Sequence, residues 1–563
     1  MKYIFNTVCM ALFCLSAMAQ PDWAKKAIKS VFTLKTFSAD GSLLASGNGF
    51  FVGENGEAVS SFAPFKGAAK AVAIDASGKQ ADIVAIIGAN STFDVAKFRV
   101  ETNRSVPIAI ASSAAQAGAA VWLMPYSTKK KPDCQQGTVG KIENFNGSHA
   151  YYTISAKAAE NAAGCPVLNE NGEAIGLLQQ PTIESDTVCY AVSAAFANSQ
   201  TTNGLSINDQ TLNSTQIKKE LPNDLNQALL TLYIGSSVLD STGYATLVGD
   251  FIAKFPNAAD GYVNRAQLSC KAKRYADAEK DMEYAIKVAD SKDDAHFNYA
   301  KLIYQELAFR QESPYSGWTL DKALEEARAA YRAKPFSIYR QLEAQILFAQ
   351  QKYADAYETY STLFNSDLRS AETFFAAARC KEMLRDTAAT LALLDSAVCT
   401  FSKPYLKSAA PYLLARAQAL LSAGEYRKAV LDFNEYESLM PNEVNANFYY
   451  VRGRAETDGH IYQAALNDFS RAISMEPTNT LYLAEKASLE IRVNLLDEAI
   501  KTSQACIDAN PDLADGYLFL GLAQCLKGDK ATGKQNLQKA EDLGEPQAQA
   551  LIEKYADNST TDK

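Results

Sequence analysis

The stretch YYVRGRAETDGHIYQAALNDFSRAISMEP, Tyr449 to Pro477, sets the architecture of most of this chain. Small residues stand at Gly453, at Ala465 twelve positions on, and at Ala472 seven further, with Tyr449 and Phe469 between them and Pro477 closing the run. Two antiparallel helices approach closely only where side chains are small, while an aromatic fills the wedge to the next pair. The same spacing returns at Ala266, Ala278, Ala285; at Ala378, Thr390, Ala397; at Ala487, Ala499, Cys506; and at Gly521, Gly533, Ala540. Looser copies lie at Ala344, Ala356, Leu363 and at Ala417, Ala429, Tyr436. From Thr390 the middle position recurs at Ala429, Ala465, Ala499 and Gly533, and Pro441, Pro477 and Pro511 march in step. Unrelated amphipathic helices would not keep that register. One such pair cannot bury its own apolar face, so neighbouring pairs must stack.

This pattern resembles the tetratricopeptide repeat, whose period is 34 residues and whose small residues, aromatic anchors and closing proline fall at these points. Eight repeats are expected from about 258 to 546, with an imperfect pair at 225 to 256 and a capping helix near Gln547 to Tyr555, within an all-α solenoid over 225–556. Two insertions break the period: one holds Ser313, Pro314, Gly317 and Trp318, the other runs from Lys403 to Pro411. The resemblance implies a protein or peptide partner. Its geometry points Gln345, Arg379, Gln418, Tyr450, Arg454 and Arg492 toward the concave face, and Arg and Tyr are common anchors. Ordinary solvated side chains account for the same positions equally well. The Lys/Asn carboxylate clamp of chaperone-binding members is not evident.

Upstream, from about Ile28 to Ala195, the texture changes to short stretches rich in β-branched and aromatic residues, such as Ser30 to Thr36, Ala71 to Ile74 and Ala150 to Ile154. Gly, Asn, Asp and Ser clusters at Ala39 to Ser42, Gly53 to Gly56 and Asn146 to Ser148 punctuate them, an all-β pattern. Four motifs in order resemble chymotrypsin-fold serine proteases of the HtrA type over residues 26–198. They are Gly47-Asn48-Gly49-Phe50-Phe51-Val52, Asp94-Val95-Ala96-Lys97-Phe98, Gly137-Thr138-Val139 and Asn161-Ala162-Ala163-Gly164-Cys165-Pro166-Val167-Leu168-Asn169. The resemblance implies a double β-barrel. Carried across position by position, it puts Ala63 where the catalytic histidine belongs and Ala163 where the nucleophilic serine belongs, and leaves only Asp94. Acyl transfer through this triad needs a hydroxyl nucleophile and an imidazole to shuttle its proton. In subtilisin, loss of the serine or histidine alone lowers turnover on the order of a millionfold. The implied domain is therefore an inactive protease.

Substitutes are few. His149 is the one histidine of this half, in an apparent turn, and Cys165 has no neighbouring imidazole to activate its thiol. Three histidines in the chain and no CxxC give no recognisable zinc site, and no cofactor is expected. Gly47-Asn48-Gly49 lacks the third glycine and the following helix of a nucleotide loop. Lys129-Lys130-Lys131 reads as a solvated basic loop. Cys134, Cys165 and Cys189 could include one disulfide, with connectivity open.

The chain has 563 residues and a formal net charge of -9, with both signs interspersed, which disfavours a nucleic-acid partner. Lys2, the apolar run Tyr3 to Leu15 and Ala17-Met18-Ala19 match a secretory signal over residues 1–19. Export to a periplasm or the cell exterior is thus expected. No later run approaches the roughly 20 apolar residues of a membrane helix. Polar residues mark 199–224 as a linker and 557–563 as a disordered tail. The leading reading is an exported scaffold or adaptor. Its rivals are an active serine or cysteine endopeptidase with a repeat arm that recruits substrate, and a peptide sensor built on an inactive cleft.

Overall fold

The structure is a computed structural model that describes residues 21–129, 134–145, 149–180, 187–309 and 315–557. The expected signal segment, Lys130-Lys131, Asn146 to Ser148, Ser313-Pro314 and all but the first residue of the expected tail lie outside these. Two compact units divide the chain, Met1–Ala289 and Asp290–Lys563.

The first unit opens with two closed antiparallel barrels. Strands β1 (Val31–Phe37), β2 (Leu43–Phe51), β3 (Glu57–Ser60), β4 (Lys70–Ile74), β5 (Gln80–Asn90) and β6 (Val95–Val100) close in the order β1-β2-β3-β6-β5-β4. Strands β7 (Ala120–Leu123), β8 (Gln135–Phe145), β9 (His149–Ser155), β10 (Pro166–Leu168), β11 (Ala174–Leu178) and β12 (Cys189–Ser193) close as β10-β11-β12-β9-β8-β7. Side-chain alternation builds each core: Phe32, Leu34, Phe62, Phe65 and Phe98 fill the first, and Val121, Tyr152, Ile154, Val167 and Ala191 the second. The faces turned outward meet in a third core, where Phe50, Val59 and Val95 pack with Leu168, Leu177 and Val192. Trp23 closes that seam, edge-on to Trp122 at 5.9 Å and donating its indole N–H to the Glu170 carbonyl at 2.8 Å.

Residues 199–224, polar enough to read as a linker, are bound along the first barrel. Leu212 and Ile217 enter the first barrel's core. The Ile86 N–H donates to the Lys218 carbonyl and the Glu220 N–H to the Ile86 carbonyl, both at 2.8 Å, so Lys219 runs parallel to β5. The Arg99 guanidinium forks onto Glu220 at 2.7 and 2.9 Å. Composition missed this because only scattered residues of the segment, such as Leu212, Thr215 and Ile217, are buried.

Helices Leu225–Val238, Ser241–Lys254, Ala259–Lys271 and Tyr275–Val288 complete the first unit. The second unit is seven helix pairs from Lys292 to Asp542, followed by the short helix Ala548–Leu551, which packs on Leu537 and Ala540. The small residues of the repeat sit at the crossings. A Cβ on Gly453 would come within 2.9 Å of the Phe469 ring, and one on Gly521 within 2.7 Å of the Gly533 carbonyl. The turn inside a pair needs one residue in the left-handed region, supplied by Lys273, Gln351, Arg385, His460 and Asn494 at φ 58 to 63° and by Gly424 and Gly528. Three pairs carry the same bidentate fork, Arg265–Asp281, Arg416–Asp432 and Arg452–Asp468, with every bond at 2.6 to 3.0 Å. Trp318, which stands in the expected insertion, is 3 % exposed and packs edge-on against Tyr299 and Tyr315. An indole of that size in a loop beside two helices buries rather than hydrates.

Candidate functional site

The seam between the barrels is stitched by Asn48. It stands in β2 and is 4 % exposed, held there because Phe50 and Phe51 fix the strand on either side of the barrel wall. Its N–H donates to the Ala163 carbonyl at 2.8 Å, and its side-chain amide donates to the Asn161 carbonyl at 2.5 Å and the Ala163 carbonyl at 3.3 Å. Its amide oxygen accepts the Tyr126 N–H at 2.7 Å, while the Ser60 hydroxyl donates to its carbonyl at 2.5 Å. The Tyr126 hydroxyl in turn reaches the Asp75 carbonyl at 3.1 Å. One side chain of the first barrel therefore fixes the 161–164 loop of the second. Gly164 makes this possible: at φ 84° it approaches so closely that a Cβ would lie 2.2 Å from the Asn48 carbonyl oxygen.

Ala63 begins a single 3-10 turn after β3, Ala63–Phe65. Asp94 precedes β6 at φ 51°, a left-handed position that a short polar side chain tolerates. There its carboxylate accepts the Ala63 N–H at 2.6 Å, and its carbonyl accepts the Phe62 N–H at 3.3 Å. Burial raises the Asp94 carboxyl above its ordinary value, opposed by the N–H groups of Ala63 and Phe62. The turn and the loop border the same glycine: a Cβ on Gly47 would find the Ala163 carbonyl oxygen at 3.5 Å and the Pro64 ring at 3.9 Å. Ala63 and Asp94 are thus joined directly, and Ala163 flanks them across Gly47. Both residues are alanines, whose side chain carries neither a hydroxyl nor an imidazole.

The possible substitutes point elsewhere. Cys165 is 0 % exposed inside the second barrel, and burial, with Cys189 beside it, pushes its thiol far up. Burial likewise lifts Cys189 to about 11. Neither supplies a thiolate near neutral pH. His149 opens strand β9 instead of lying in a turn; its ring packs at 4.0 Å on Phe196, which packs at 4.5 Å on Phe93. The aromatic seam draws the imidazole in, which a turn-like sequence did not reveal. Among the described residues no group of three or more His, Cys, Asp or Glu is arranged to hold a metal ion.

In the helical unit, Arg379 and Gln418 line one cavity of about 210 Å³ with Phe375, and Arg379 pairs with Glu382 at 3.1 Å. Arg454 lies apart from that cavity, bonding the Tyr450 hydroxyl at 3.3 Å and Glu485 at 3.1 Å. Arg492 lies 5.1 Å over the Tyr462 ring. Gln345 is half-buried.

Known proteins agree with this division. Residues 47–177 match the family model of the trypsin-like peptidase domain. The "Small glutamine-rich tetratricopeptide repeat-containing protein 2" of Saccharomyces cerevisiae is 28% identical over 126 residues, 22% of this chain and 36% of that protein. This chain thus spans about a third of that relative's length. In structure the chain is similar to the active form of the Rv3671c protease from M. tuberculosis, 17% identical, with a TM-score of 0.29, covering 33% of this chain and 85% of that one. It is also similar to a serine endoprotease from Yersinia pestis, 16% identical, with a TM-score of 0.28, covering 32% and 65%. The chain combines a trypsin-like peptidase domain of two six-stranded barrels with a tetratricopeptide-type all-helical region. Among the described residues no helix is long and apolar enough to cross a membrane.

Proposed function

We propose that this protein is an exported scaffold or adaptor in which a protease-like domain without peptidase activity is joined to a repeat solenoid that binds a protein or peptide. The observation that carries the reading is the Ala63–Asp94 contact. The carboxylate that would orient a histidine in a working triad is bonded to the main chain of an alanine, and the 161–164 loop, whose Ala163 carbonyl lies near Gly47, carries alanine where the serine would stand. In this reading Ala63 and Ala163 are the degenerate triad positions and Asp94 is the remnant. The deep burial of Cys165 supports the absence of a replacement nucleophile. For the partner, the cavity shared by Arg379 and Gln418, and the exposed Arg454 and Arg492 with half-buried Tyr450, offer polar anchors among aromatic rings.

The test is direct. Purified full-length protein is expected to leave an unfolded protein substrate intact and to resist fluorophosphonate labelling. The double variant Ala63→His, Ala163→Ser is expected to acquire label, because the serine would return to the loop that Asn48 holds and the histidine to the turn that Asp94 bonds. Substrate cleavage by the unaltered chain that disappears in Asp94→Ala would overturn the proposal in favour of an active endopeptidase. Capture of a partner from the native envelope by full-length protein but not by an Arg379→Ala, Arg454→Ala variant would assign binding to the helices. Capture insensitive to those changes would favour peptide sensing at the barrel cleft, a reading the intact Asn48 network also supports.

A further inference from the structure

A cavity of about 360 Å³ lies in the first unit where the segment after the barrels meets helices Leu225–Val238 and Ser241–Lys254. That volume is within the roughly 300–1,000 Å³ of small-molecule sites. Its apolar walls include Ile207, Leu221, Leu239 and Leu247. Its wall hydroxyls are already engaged: Thr202 donates to the Glu220 carbonyl at 2.8 Å, Thr231 to that of Gln227 at 3.0 Å and Thr246 to that of Thr242 at 3.0 Å, while Ser206 accepts the Asn203 N–H at 2.9 Å and donates to its side-chain oxygen at 3.4 Å.

The charges at the walls are unequal. Asp250 is paired with Lys218 at 2.6 Å. Glu220 is paired with Arg99 at 2.7 Å and with Lys254 at 3.7 Å. Both acids are thus answered, one of them twice. Lys219, also a wall residue, has no ion pair or hydrogen bond among the described residues, and Asp209 is the one carboxylate that acts on it at longer range. Burial accordingly pulls its ammonium below the ordinary value. An ammonium taken from water without a partner is costly, and an anion arriving beside it recovers that loss.

We propose that this cavity binds a monocarboxylate with an unbranched apolar body, its carboxylate on Lys219 and its chain against Ile207, Leu239 and Leu247. An alkanoate suits the walls better than the carboxyl end of a peptide. A peptide would bring amide groups into a space whose hydroxyls are already engaged, and each unmet amide weakens binding.

The experiment is titration calorimetry of the full-length chain with decanoate below its micelle concentration, with decanol, and with acetyl-trileucine. Decanoate is expected to bind at one site, with decanol about tenfold weaker or more, as loss of one charged hydrogen bond implies. Lys219→Met is expected to bring decanoate down to the level of decanol, and Lys219→Arg to retain most of the affinity. Absence of saturable decanoate binding, equal affinity for decanol, full affinity in a folded Lys219→Met variant, or tighter binding of acetyl-trileucine would each overturn the proposal. Should Lys219→Met fail to fold, the decanoate-to-decanol ratio on the unaltered chain decides.

Discussion

Replacing Glu456 with glutamine should make the helical unit more stable at pH 8 and leave it unchanged near pH 4. Glu456 lies in the helix Ala446–Asp458, is 4 % exposed, and has a carboxylate oxygen that is buried without a hydrogen-bond partner. Burial foremost, then repulsion from Asp468 and Glu437, raise its carboxyl from 4.5 to about 7, against the pull of Arg452 and Arg471. The folded chain therefore keeps a proton that the unfolded chain has released. Stability is fullest below the unfolded value, falls as pH climbs from about 4.5 to about 7, and is level above that. The difference corresponds to about 3 kcal/mol, or about a hundredfold in a local opening equilibrium. Glutamine, neutral at every pH, removes that dependence while keeping the shape. Hydrogen–deuterium exchange of peptides spanning 446–475, corrected for the intrinsic pH dependence of exchange, reads the effect locally, as suits a repeat array that need not unfold in one step. Equal protection of the variant and the parent at pH 8, or weaker protection of the variant, would refute the reasoning.

Three further outcomes follow from the packing. Arg452→Leu strands the buried Asp468 carboxylate and is expected to destabilise by about 3–5 kcal/mol, whereas Arg452→Leu with Asp468→Leu should recover most of the loss; chemical denaturation followed by helical circular dichroism compares the two. Gly164→Ala forces a Cβ to 2.2 Å from the Asn48 carbonyl at a positive φ, and the barrels should lose about 2–4 kcal/mol, seen as earlier unfolding by tryptophan fluorescence from Trp23 and Trp122. Lys273→Gly relieves a left-handed φ of 59° in a helix-pair turn, and thermal melts should show a gain of at most about 1 kcal/mol, reduced by the freedom glycine adds to the unfolded chain.

The helical region was legible because its packing is local. Gly521 and Gly533 meet across one turn, twelve positions apart, so the contact that demands small side chains is written within a short window of sequence. The barrels were legible for a related reason: strand alternation shows in each segment, and four short motifs in order carry the resemblance to the protease fold. The fork Arg416–Asp432 and its two counterparts repeat at a constant spacing and could have been found from that spacing alone. His149 was misplaced because a loop-like neighbourhood says nothing about which aromatic rings wait beside it.

By itself, then, the sequence determined two kinds of architecture, since these depend on residue type and on contacts between near neighbours. Only the tertiary structure decided what holds the site and where a ligand could enter. Asn48 and Asn161 are 113 residues apart in the chain, and their hydrogen bond exists only after both barrels have closed. Arg99 and Glu220 are separated by 121, and until they pair nothing distinguishes the polar stretch 199–224 from a linker. The isolation of Lys219 is likewise a product of folding, because the fold pairs Asp250 with Lys218 and Glu220 with Arg99 and Lys254, and leaves Asp209 acting on Lys219 only at longer range.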